Sequence, residues 1–332
     1  MAPDSHQHQA ALSADPAGSS TVACPRGAIG GLESAPAPPL GPALRDDCWI
    51  LSGPTASGKT DLSLRLAGRL DAEIVSVDSM AVYRGLDIGT AKPTAAQRAL
   101  VPHHLVDLVD PGEIYTVARW LADATAAVEA CRGRGKKVLF VGGTPLYLRA
   151  LRDGLDPQPG MDADFRGRLL EEAEMTGVGP LHNRLAAVDP VAAARIHPHD
   201  ARRIIRALEV VHVTGRPMAS SWFDSRPSHP VFDRQMMILD QPRRMLCERI
   251  DRRVEAMFAD GLIEEAMAAA ARPSGIGATA LQAAGYAEAL DVAAGLKTVA
   301  QAIRLTQQRT RQLAKRQRTW LRSFKSAVWI GA

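Results

Sequence analysis

The pattern of apolar and polar positions predicts an α/β fold for most of this chain of 332 residues. Short apolar runs, which are typical of buried strands, alternate with stretches that carry apolar residues at helical spacing. This alternation predicts a parallel, doubly wound sheet with helices on both faces. The predicted strands span residues 48–52, 73–77, 104–109, 137–141 and 236–239, with 326–330 as a final edge strand.

Two regions follow a helical pattern throughout. Between residues 161 and 222 the strand pattern is absent, and we interpret this region as a helical insertion domain within a core of residues 46–160 and 223–332. The core also ends in a helical C-terminal region. The predicted helices of the insertion span 163–176, 180–188, 190–196 and 201–213, and those of the last third span 243–271, 279–294 and 299–324.

Residues 1–45 form a separate zone with seven prolines and few large apolar side chains. Such a composition cannot bury enough surface to offset the entropy of ordering, so it predicts a disordered tail. The segment also lacks the basic start and compact apolar stretch of a secretory signal. We interpret His6 and His8 in this tail as incidental residues, not as metal ligands.

A glycine-rich loop joins the first predicted strand to the first helix. Its sequence, Gly53-Pro-Thr-Ala-Ser-Gly-Lys-Thr60, fits the P-loop pattern G-x-x-x-x-G-K-[ST]. Backbone N–H groups of such a loop converge on phosphate oxygens, Lys59 adds a positive charge, and the Thr60 hydroxyl can hold Mg²⁺. The motif therefore predicts a phosphate site and, by itself, indicates a nucleotide-binding or ATP-binding protein.

Polar residues follow two further predicted strands, Asp78 after 73–77 and Thr144 after Gly142-Gly143. Ligands of parallel sheets bind at the carboxyl ends of the strands, so we expect both side chains beside the P-loop. In an ATP-dependent kinase such an aspartate would hold Mg²⁺ or accept a substrate proton. Thr144 could also simply cap a helix.

Basic residues gather in the last predicted helix, where residues 302–325 include eight Lys and Arg side chains and no acid. A second basic cluster, Arg202, Arg203 and Arg206, lies in the insertion. A solvated basic face would need no partner. Unpaired cations that repel one another favour an anionic partner, and two such clusters indicate a long polyanion.

The four cysteines lie far apart, which indicates free thiols in a reducing compartment. No apolar run is long enough to span a membrane. We therefore expect a cytoplasmic protein, and we expect it to be a monomer.

Together these motifs resemble the bacterial-type tRNA dimethylallyltransferase (isopentenyltransferase) family, over nearly all of residues 49–330. The resemblance includes the P-loop and the blocks Ser76-Val-Asp-Ser-Met80, Tyr83-Arg-Gly-Leu-Asp-Ile-Gly-Thr-Ala-Lys-Pro93, Val141-Gly-Gly-Thr144, Asp189-Pro-Val-Ala-Ala-Ala-Arg-Ile-His-Pro198, Arg203-Ile-Ile-Arg-Ala-Leu-Glu-Val210 and Arg311-Gln-Leu-Ala-Lys-Arg-Gln317. The chain departs from the family pattern at Ala81, Ala284 and Ala287.

The resemblance implies a P-loop NTPase-like fold and transfer of a dimethylallyl group from dimethylallyl diphosphate to N6 of the adenosine 3′-adjacent to the anticodon. In this reading Asp78 is the base, Thr144 orients the reacting groups, and Lys59 stabilises the leaving pyrophosphate with Mg²⁺ on Thr60. The implied pyrophosphate-binding residues are Gly53, Pro54, Thr55, Ala56, Ser57, Gly58, Lys59, Thr60 and Arg249.

The resemblance also implies that the insertion grips the anticodon stem-loop of tRNA. The implied tRNA-binding residues are Asp78, Ser79, Met80, Ala81, Thr144, Arg166, Arg202, Arg203, Ile204, Ile205, Arg206, Gln282, Gly285, Tyr286, Arg311, Lys315, Arg316 and Arg318. The sequence is also compatible with two alternatives. One is an ATP-dependent P-loop kinase of a small molecule, and the other is a non-catalytic RNA-binding module.

Overall fold

A computed structural model describes residues 44–155, 160–218 and 230–331. Within them, six strands form one parallel sheet in the order β3-β2-β4-β1-β5-β6. The predicted α/β fold with a parallel sheet is confirmed. The predicted tail lies almost wholly outside the described residues. The strands are β1 Cys48–Ser52, β2 Ala72–Val77, β3 His103–His104, β4 Lys137–Gly142, β5 Met236–Asp240 and β6 Val328–Gly331.

Helices follow or separate the strands along the whole chain. They are α1 Lys59–Leu70, α2 Ala95–Leu100, α3 Val117–Gly133, α4 Pro145–Asp153, α5 Ala163–Thr176, α6 Gly179–Val188, α7 Pro190–Arg195, α8 Ala201–Thr214, α9 Pro230–Arg234, α10 Arg243–Ala259, α11 Leu262–Ala270, α12 Tyr286–Ala293 and α13 Val299–Leu321.

The sheet is covered on both faces because neighbouring residues of a strand point to opposite sides. In β2, Val75 packs into the larger cluster with Trp120 of α3, whereas Ile74 packs with Ala67 of α1. All six residues of β2 are buried. The indole N–H of Trp120 donates to the carbonyl oxygen of Ser76 at 3.0 Å. The polar group of the largest fully buried side chain is therefore hydrogen-bonded.

Helices α5 to α8 share a hydrophobic cluster that contains no residue of the sheet. Aspartates cap three of them: the side chains of Asp162, Asp189 and Asp200 each accept a backbone N–H at the start of α5, α7 and α8. Leu181 and Ile204 are fully buried at the centre of this cluster. The region predicted as an insertion therefore has its own small core.

The predicted third strand, 104–109, was wrong in its length. Strand β3 contains only two residues, because Leu105 and Asp107 adopt left-handed φ angles of 63° and 56°. Asp107 accepts hydrogen bonds from Lys92 at 2.6 Å and Arg98 at 2.5 Å, which draws the chain away from the sheet. Tyr83 and Val109 form one isolated parallel bridge beyond this point.

The predicted helix 243–271 was also wrong, since it is two helices. Gly261 lies between α10 and α11 with a φ of 101°, which only glycine adopts without strain. Gly285, with a φ of 104°, divides the predicted helix 279–294 in the same way, into a 3₁₀ turn Ala280–Gln282 and α12. Helix α13 packs against both α10 and α12.

Candidate active site

The P-loop connects β1 to α1 at the carboxyl edge of the sheet. Ala56 and Gly58 have φ angles of 63° and 100°, a local conformation that turns backbone N–H groups toward a common point. Gly53 has no room for a side chain, because a Cβ there would lie 2.3 Å from the carbonyl oxygen of Leu239 in β5. The loop is thus held against the neighbouring strand while its other face stays open.

Lys59 is anchored on the loop that carries it. Its ammonium donates to the carbonyl oxygens of Gly53 at 2.9 Å and Pro54 at 2.7 Å. Burial is the main cause that lowers the pKa of Lys59 to about 8; the Asp78 carboxylate opposes this shift, and Arg253 adds a smaller lowering effect. The ammonium therefore lies close enough to Asp78 and Arg253 to share one electrostatic site with them.

A cavity of about 570 Å³ opens beside the P-loop. The sequence-predicted residues that line it are Thr55, Ala56, Gly58, Lys59, Thr60, Asp78 and Arg249. Gly53, Pro54 and Ser57, which were also predicted to bind pyrophosphate, are buried beneath the loop surface and do not line the cavity. A second cavity of about 90 Å³ adjoins it past Lys59 and Asp78 and has apolar walls that include Ile74 and Val141.

Asp78 and Thr144 lie at adjacent strand ends, as the sequence predicted. One carboxylate oxygen of Asp78 accepts the backbone N–H of Met80 at 2.8 Å, which fixes the side chain in a tight turn. The Thr144 hydroxyl accepts the N–H of Ser79 at 3.1 Å and makes no cap bond to α4. Thr144 therefore occupies the N-cap position of α4 without a side-chain cap bond, and no acceptor for its hydroxyl proton is found among the described residues.

Gln317 is a site residue that the sequence reasoning did not assign. Its side-chain oxygen accepts the N–H of Thr55 at 2.8 Å, and its amide donates to the carbonyl oxygen of Gly143 at 2.9 Å. It is buried on the same face of α13 as Ala314 and Leu321. The sequence does contain one indication of this role. Gln317 falls among apolar residues at helical spacing, and a buried side-chain amide needs a polar partner.

Arg253 is a second unassigned site residue, one helical turn after Arg249 in α10. Its guanidinium lies 3.5 Å from the Thr55 hydroxyl. Burial lowers the pKa of Arg253, the Asp78 carboxylate opposes this, and Arg249 adds to it. Arg249 itself approaches the P-loop, since a Cβ on Gly58 would lie 3.1 Å from its guanidinium. In the sequence, the i, i+4 spacing of Arg249 and Arg253 indicates that the two side chains lie on the same face of a helix.

The opposite wall of the cavity is the segment 90–92, which an internal network holds in place. The buried Lys92 ammonium donates to Asp87 at 2.7 Å and Asp107 at 2.6 Å. The Glu265 carboxylate accepts the N–H groups of Asp87 at 2.9 Å and Ile88 at 3.0 Å, and the Tyr286 hydroxyl donates to Glu265 at 2.6 Å. These contacts hold the Asp-Ile-Gly-Thr-Ala-Lys-Pro block, residues 87–93, against α11 and α12.

Helix α13 does have acidic neighbours, contrary to the argument that its cations lack partners. They come from other elements: Arg311 pairs with Asp251 of α10, Arg309 with Glu288 of α12, and Arg318 with Asp240 of β5 at 2.8 Å. Five basic residues remain exposed with no ion pair in the described part of the chain. They are Arg304, Lys315, Arg316, Arg322 and Lys325.

The residues predicted to bind tRNA, apart from Asp78 and Thr144 described above, differ in exposure. Exposed side chains belong to Arg202, Arg203, Gln282, Lys315 and Arg316. Arg166 and Arg206 are only partly exposed, and both donate to the buried carboxylate of Glu209, Arg166 at 2.7 Å. The side chains of Ala81, Ile204, Ile205 and Tyr286 are buried, Gly285 is buried at the start of α12, and Ser79, Met80, Arg311 and Arg318 are partly buried.

Residues 81–324 match the family model described as IPP transferase, which covers most of the chain. The chain belongs to the IPP transferase family. Its relatives include tRNA dimethylallyltransferases of Anaeromyxobacter dehalogenans, 49% identical over 281 residues, and of Geobacter metallireducens, 45% identical over 283 residues. Each alignment covers 85% of this chain, and 93% and 91% of the respective relative.

Solved IPP transferase structures have the same architecture. The tRNA isopentenylpyrophosphate transferase of Bacillus halodurans is 39% identical with a TM-score of 0.61, covering 86% of this chain and 90% of the relative. A eukaryotic dimethylallyltransferase acting on tRNA is 27% identical with a TM-score of 0.69, covering 86% and 73%. The P-loop NTPase-like fold and the family expected from the sequence are confirmed. No helix in the described ranges is long and apolar enough to cross a membrane.

Proposed function

We propose that this chain transfers the dimethylallyl group of dimethylallyl diphosphate to N6 of the adenosine 3′-adjacent to the anticodon in tRNA. The products are N6-isopentenyladenosine and diphosphate. The observation that carries this proposal is one cavity, in an IPP transferase, that places the Asp78 carboxylate beside the cations Lys59, Arg249 and Arg253. A leaving anion and an amine that must lose a proton need this combination of charges.

The proposed reaction assigns a role to each of these groups and to Thr144. The N6 lone pair forms a bond to C1 of the allyl group as the C1–O bond breaks, and its electron pair leaves with the diphosphate. The N6 proton passes to Asp78, whose carboxylate is held by the Met80 N–H. The Thr144 hydroxyl, which accepts from Ser79, donates its proton toward the acceptor base. The three cations stabilise the charge on the departing oxygen.

Mg²⁺ fits the oxygen atoms on this cavity wall. The Thr60 hydroxyl and the Asp78 carboxylate both line the cavity, and neither belongs to an internal ion pair among the described residues. Mg²⁺ prefers oxygen ligands and binds through one or two protein groups together with substrate phosphates. When bound, the ion would neutralise charge on the diphosphate. Thr60 would hold it.

The acceptor would be the anticodon stem-loop of tRNA, whose bases can be unstacked and turned into a pocket. The exposed cations Lys315 and Arg316 on α13, with Arg202 and Arg203 on α8, support this assignment because they offer positive charge to a phosphate backbone. We also propose that the protein acts as a cytoplasmic monomer. Size-exclusion chromatography with light scattering measures its oligomeric state and tests the second part of this proposal.

The direct test incubates the protein with Mg²⁺, labelled dimethylallyl diphosphate and unmodified tRNA that has adenosine beside the anticodon. We expect label in the RNA as N6-isopentenyladenosine, with one diphosphate released per transfer. The same tRNA with guanosine at that position is the matched control and should stay unlabelled. Phosphorylation of a small molecule by ATP without any transfer to RNA would contradict the proposal, and so would tRNA binding without transfer.

A further inference from the structure

Three metal-ligating side chains meet at the end of the sheet that faces away from the cavity. Glu73 lies at the start of β2, His104 ends β3, and Cys131 lies in the last turn of α3. Asp78 follows the other end of β2, five residues along, which corresponds to about 16 Å of extended chain. The cluster therefore has no part in the chemistry of the cavity.

The three donor atoms lie close to one another. Glu73 Oε2 is 2.6 Å from His104 Nε2 and 3.4 Å from Cys131 Sγ, and the sulfur is 3.5 Å from the same histidine nitrogen. Cys131 is fully buried and Glu73 is nearly so, and each comes from a different rigid element. The donors are thus held together by the fold and not by a flexible loop.

We propose that Glu73, His104 and Cys131 bind one Zn²⁺ ion, with a water molecule as the fourth ligand. Carboxylate oxygen, imidazole nitrogen and thiolate sulfur are the three ligand types of protein zinc sites, and bonds of about 2.0–2.3 Å in a tetrahedron separate donors by about 3.3–3.7 Å. The two distances that involve Cys131 already meet this requirement. The shorter one between Glu73 and His104 is a hydrogen bond. When Nε2 of the neutral imidazole binds the metal, its proton lies on Nδ1 and the two donor atoms move apart, so this contact releases no proton.

Arg134 is the competitor for this site. Its guanidinium donates to both oxygens of Glu73, at 2.9 Å and 2.6 Å, and chiefly this contact lowers the pKa of Glu73 to about 2. The carboxylate is therefore ionised, as a metal ligand must be. Arg134 follows the last turn of α3 with about half of its side chain exposed, so it can turn into solvent without losing a packed position.

Zinc binding would release the thiol proton of Cys131. Burial, together with the neighbouring Glu73 carboxylate, raises the pKa of this thiol to about 12, so the group is protonated in the absence of metal. A divalent cation reverses that preference, because a coordinating thiol is deprotonated outright. In the balanced reaction, the Cys131 thiol and one Zn²⁺ ion form one zinc thiolate and release one proton. The ion would fasten the two-residue edge strand β3 to β2 and α3.

Cobalt(II) is the probe, because a thiolate bound to it gives a charge-transfer absorption that nitrogen and oxygen ligands do not. Full-length protein without an affinity tag, with Cys24→Ser and Cys247→Ser as the background, is titrated with Co²⁺ and then with Zn²⁺. We expect one Co²⁺ per chain, the charge-transfer band, and displacement of Co²⁺ by Zn²⁺. Cys131→Ser should abolish the band, and His104→Gln should weaken Co²⁺ binding about tenfold or more.

Arg134→Ala keeps all three ligands and removes the competing cation, so it should bind Co²⁺ about tenfold more tightly. This variant tests the zinc site even if Cys131→Ser proves unstable. A hydrogen-bonded network without a metal would behave differently: the background protein would lack the charge-transfer band, and Arg134→Ala would not gain affinity. Either result overturns the zinc site, as does a band that persists in Cys131→Ser.

Discussion

Gln317 of α13 holds the P-loop at a fixed spacing from the Gly-Gly-Thr turn after β4. Its side chain accepts from Thr55 at 2.8 Å and donates to Gly143 at 2.9 Å. A Cβ on Gly143 would lie 2.6 Å from the Gly53 carbonyl oxygen and 2.8 Å from the Gln317 amide. The P-loop, the Gly-Gly-Thr turn and Gln317 are therefore in close contact, with no room for a side chain at residue 143. The helix with the exposed cations therefore also contributes to the wall of the P-loop cavity.

Gln317→Ala should weaken donor binding more than tRNA binding. The substitution leaves the Thr55 N–H and the Gly143 carbonyl without their partner, and each unpaired buried group costs about 1–3 kcal/mol. We expect KM for dimethylallyl diphosphate to rise about tenfold, since 1.4 kcal/mol corresponds to about a factor of ten. Steady-state kinetics with varied donor, and filter binding of tRNA, separate the two effects. Gln308→Ala, exposed on the same helix, is the control; equal losses for both substrates would contradict the assignment.

Asp78→Asn should remove most transfer activity and leave tRNA affinity within about twofold. The amide keeps the Met80 N–H contact but cannot accept the N6 proton, and general-base catalysis contributes about 10²–10⁴-fold. Single-turnover transfer of labelled dimethylallyl groups measures the chemical step. Asp61→Asn changes another carboxylate on the same cavity and should stay near wild-type rate. Loss of tRNA binding by Asp78→Asn would remove the support for a proton-transfer role.

Binding of inorganic diphosphate should weaken above pH 8. The pKa of Lys59 is lowered to about 8 by burial, so the ammonium is charged below this pH and neutral above it. Because the charged form attracts the anion, the affinity for diphosphate is highest below pH 8. Above pH 8 the affinity decreases, approaching about a tenfold loss per pH unit. Calorimetric titration between about pH 6.5 and 9.5 measures this. Lys59→Met should bind weakly with no such fall, and an unchanged fall in Lys59→Met would assign it to another group.

The sequence was sufficient to predict the parts of the site that depend on local patterns. The P-loop, Asp78 and Thr144 were predicted because each follows an apolar run, and parallel strands end at one edge. The role of Gln317 depends on contacts with residues 55 and 143, and no local pattern specifies which distant loops a buried amide will join. The acidic partners of α13 were missed for the same reason, since Asp251, Glu288 and Asp240 belong to other elements.

The exposed cations of α13 should determine tRNA affinity through its salt dependence. Lys315→Ala with Arg316→Ala removes two charges that have no ion pair among the described residues. Each lost phosphate contact lowers the slope of log K against log salt by about 0.7–0.9. Filter binding at several salt concentrations should show a slope reduced by about 1.4–1.8, with donor KM unchanged. Lys136→Ala, whose ammonium pairs with Asp71 before β4, should leave the slope unaltered.

Glu209→Leu should destabilise α5 to α8 while leaving the P-loop intact. Glu209 is fully buried and accepts hydrogen bonds from the partly exposed Arg166 and Arg206 and from the Asp162 N–H, and leaving such groups unpaired costs about 1–3 kcal/mol. Hydrogen exchange should speed up across α5–α8 and remain slow in β1 and β2, because the two regions have separate cores. Glu172→Leu changes a half-exposed pair with Arg184 and is the control. Faster exchange across the whole sheet would mean that the two regions unfold together.

The separation of 262 residues between Thr55 and Gln317 has a consequence for synthesis on the ribosome. Strands β1, β2 and β4 emerge early and can pair, yet β5, β6 and α13 follow only after the insertion helices. A nascent chain therefore exposes a P-loop that lacks Arg249, Arg253 and the Gln317 clamp. Under the proposed function, the residues that would bind diphosphate are complete only after the last helix is released, so the growing polypeptide would not bind its donor before it is nearly finished.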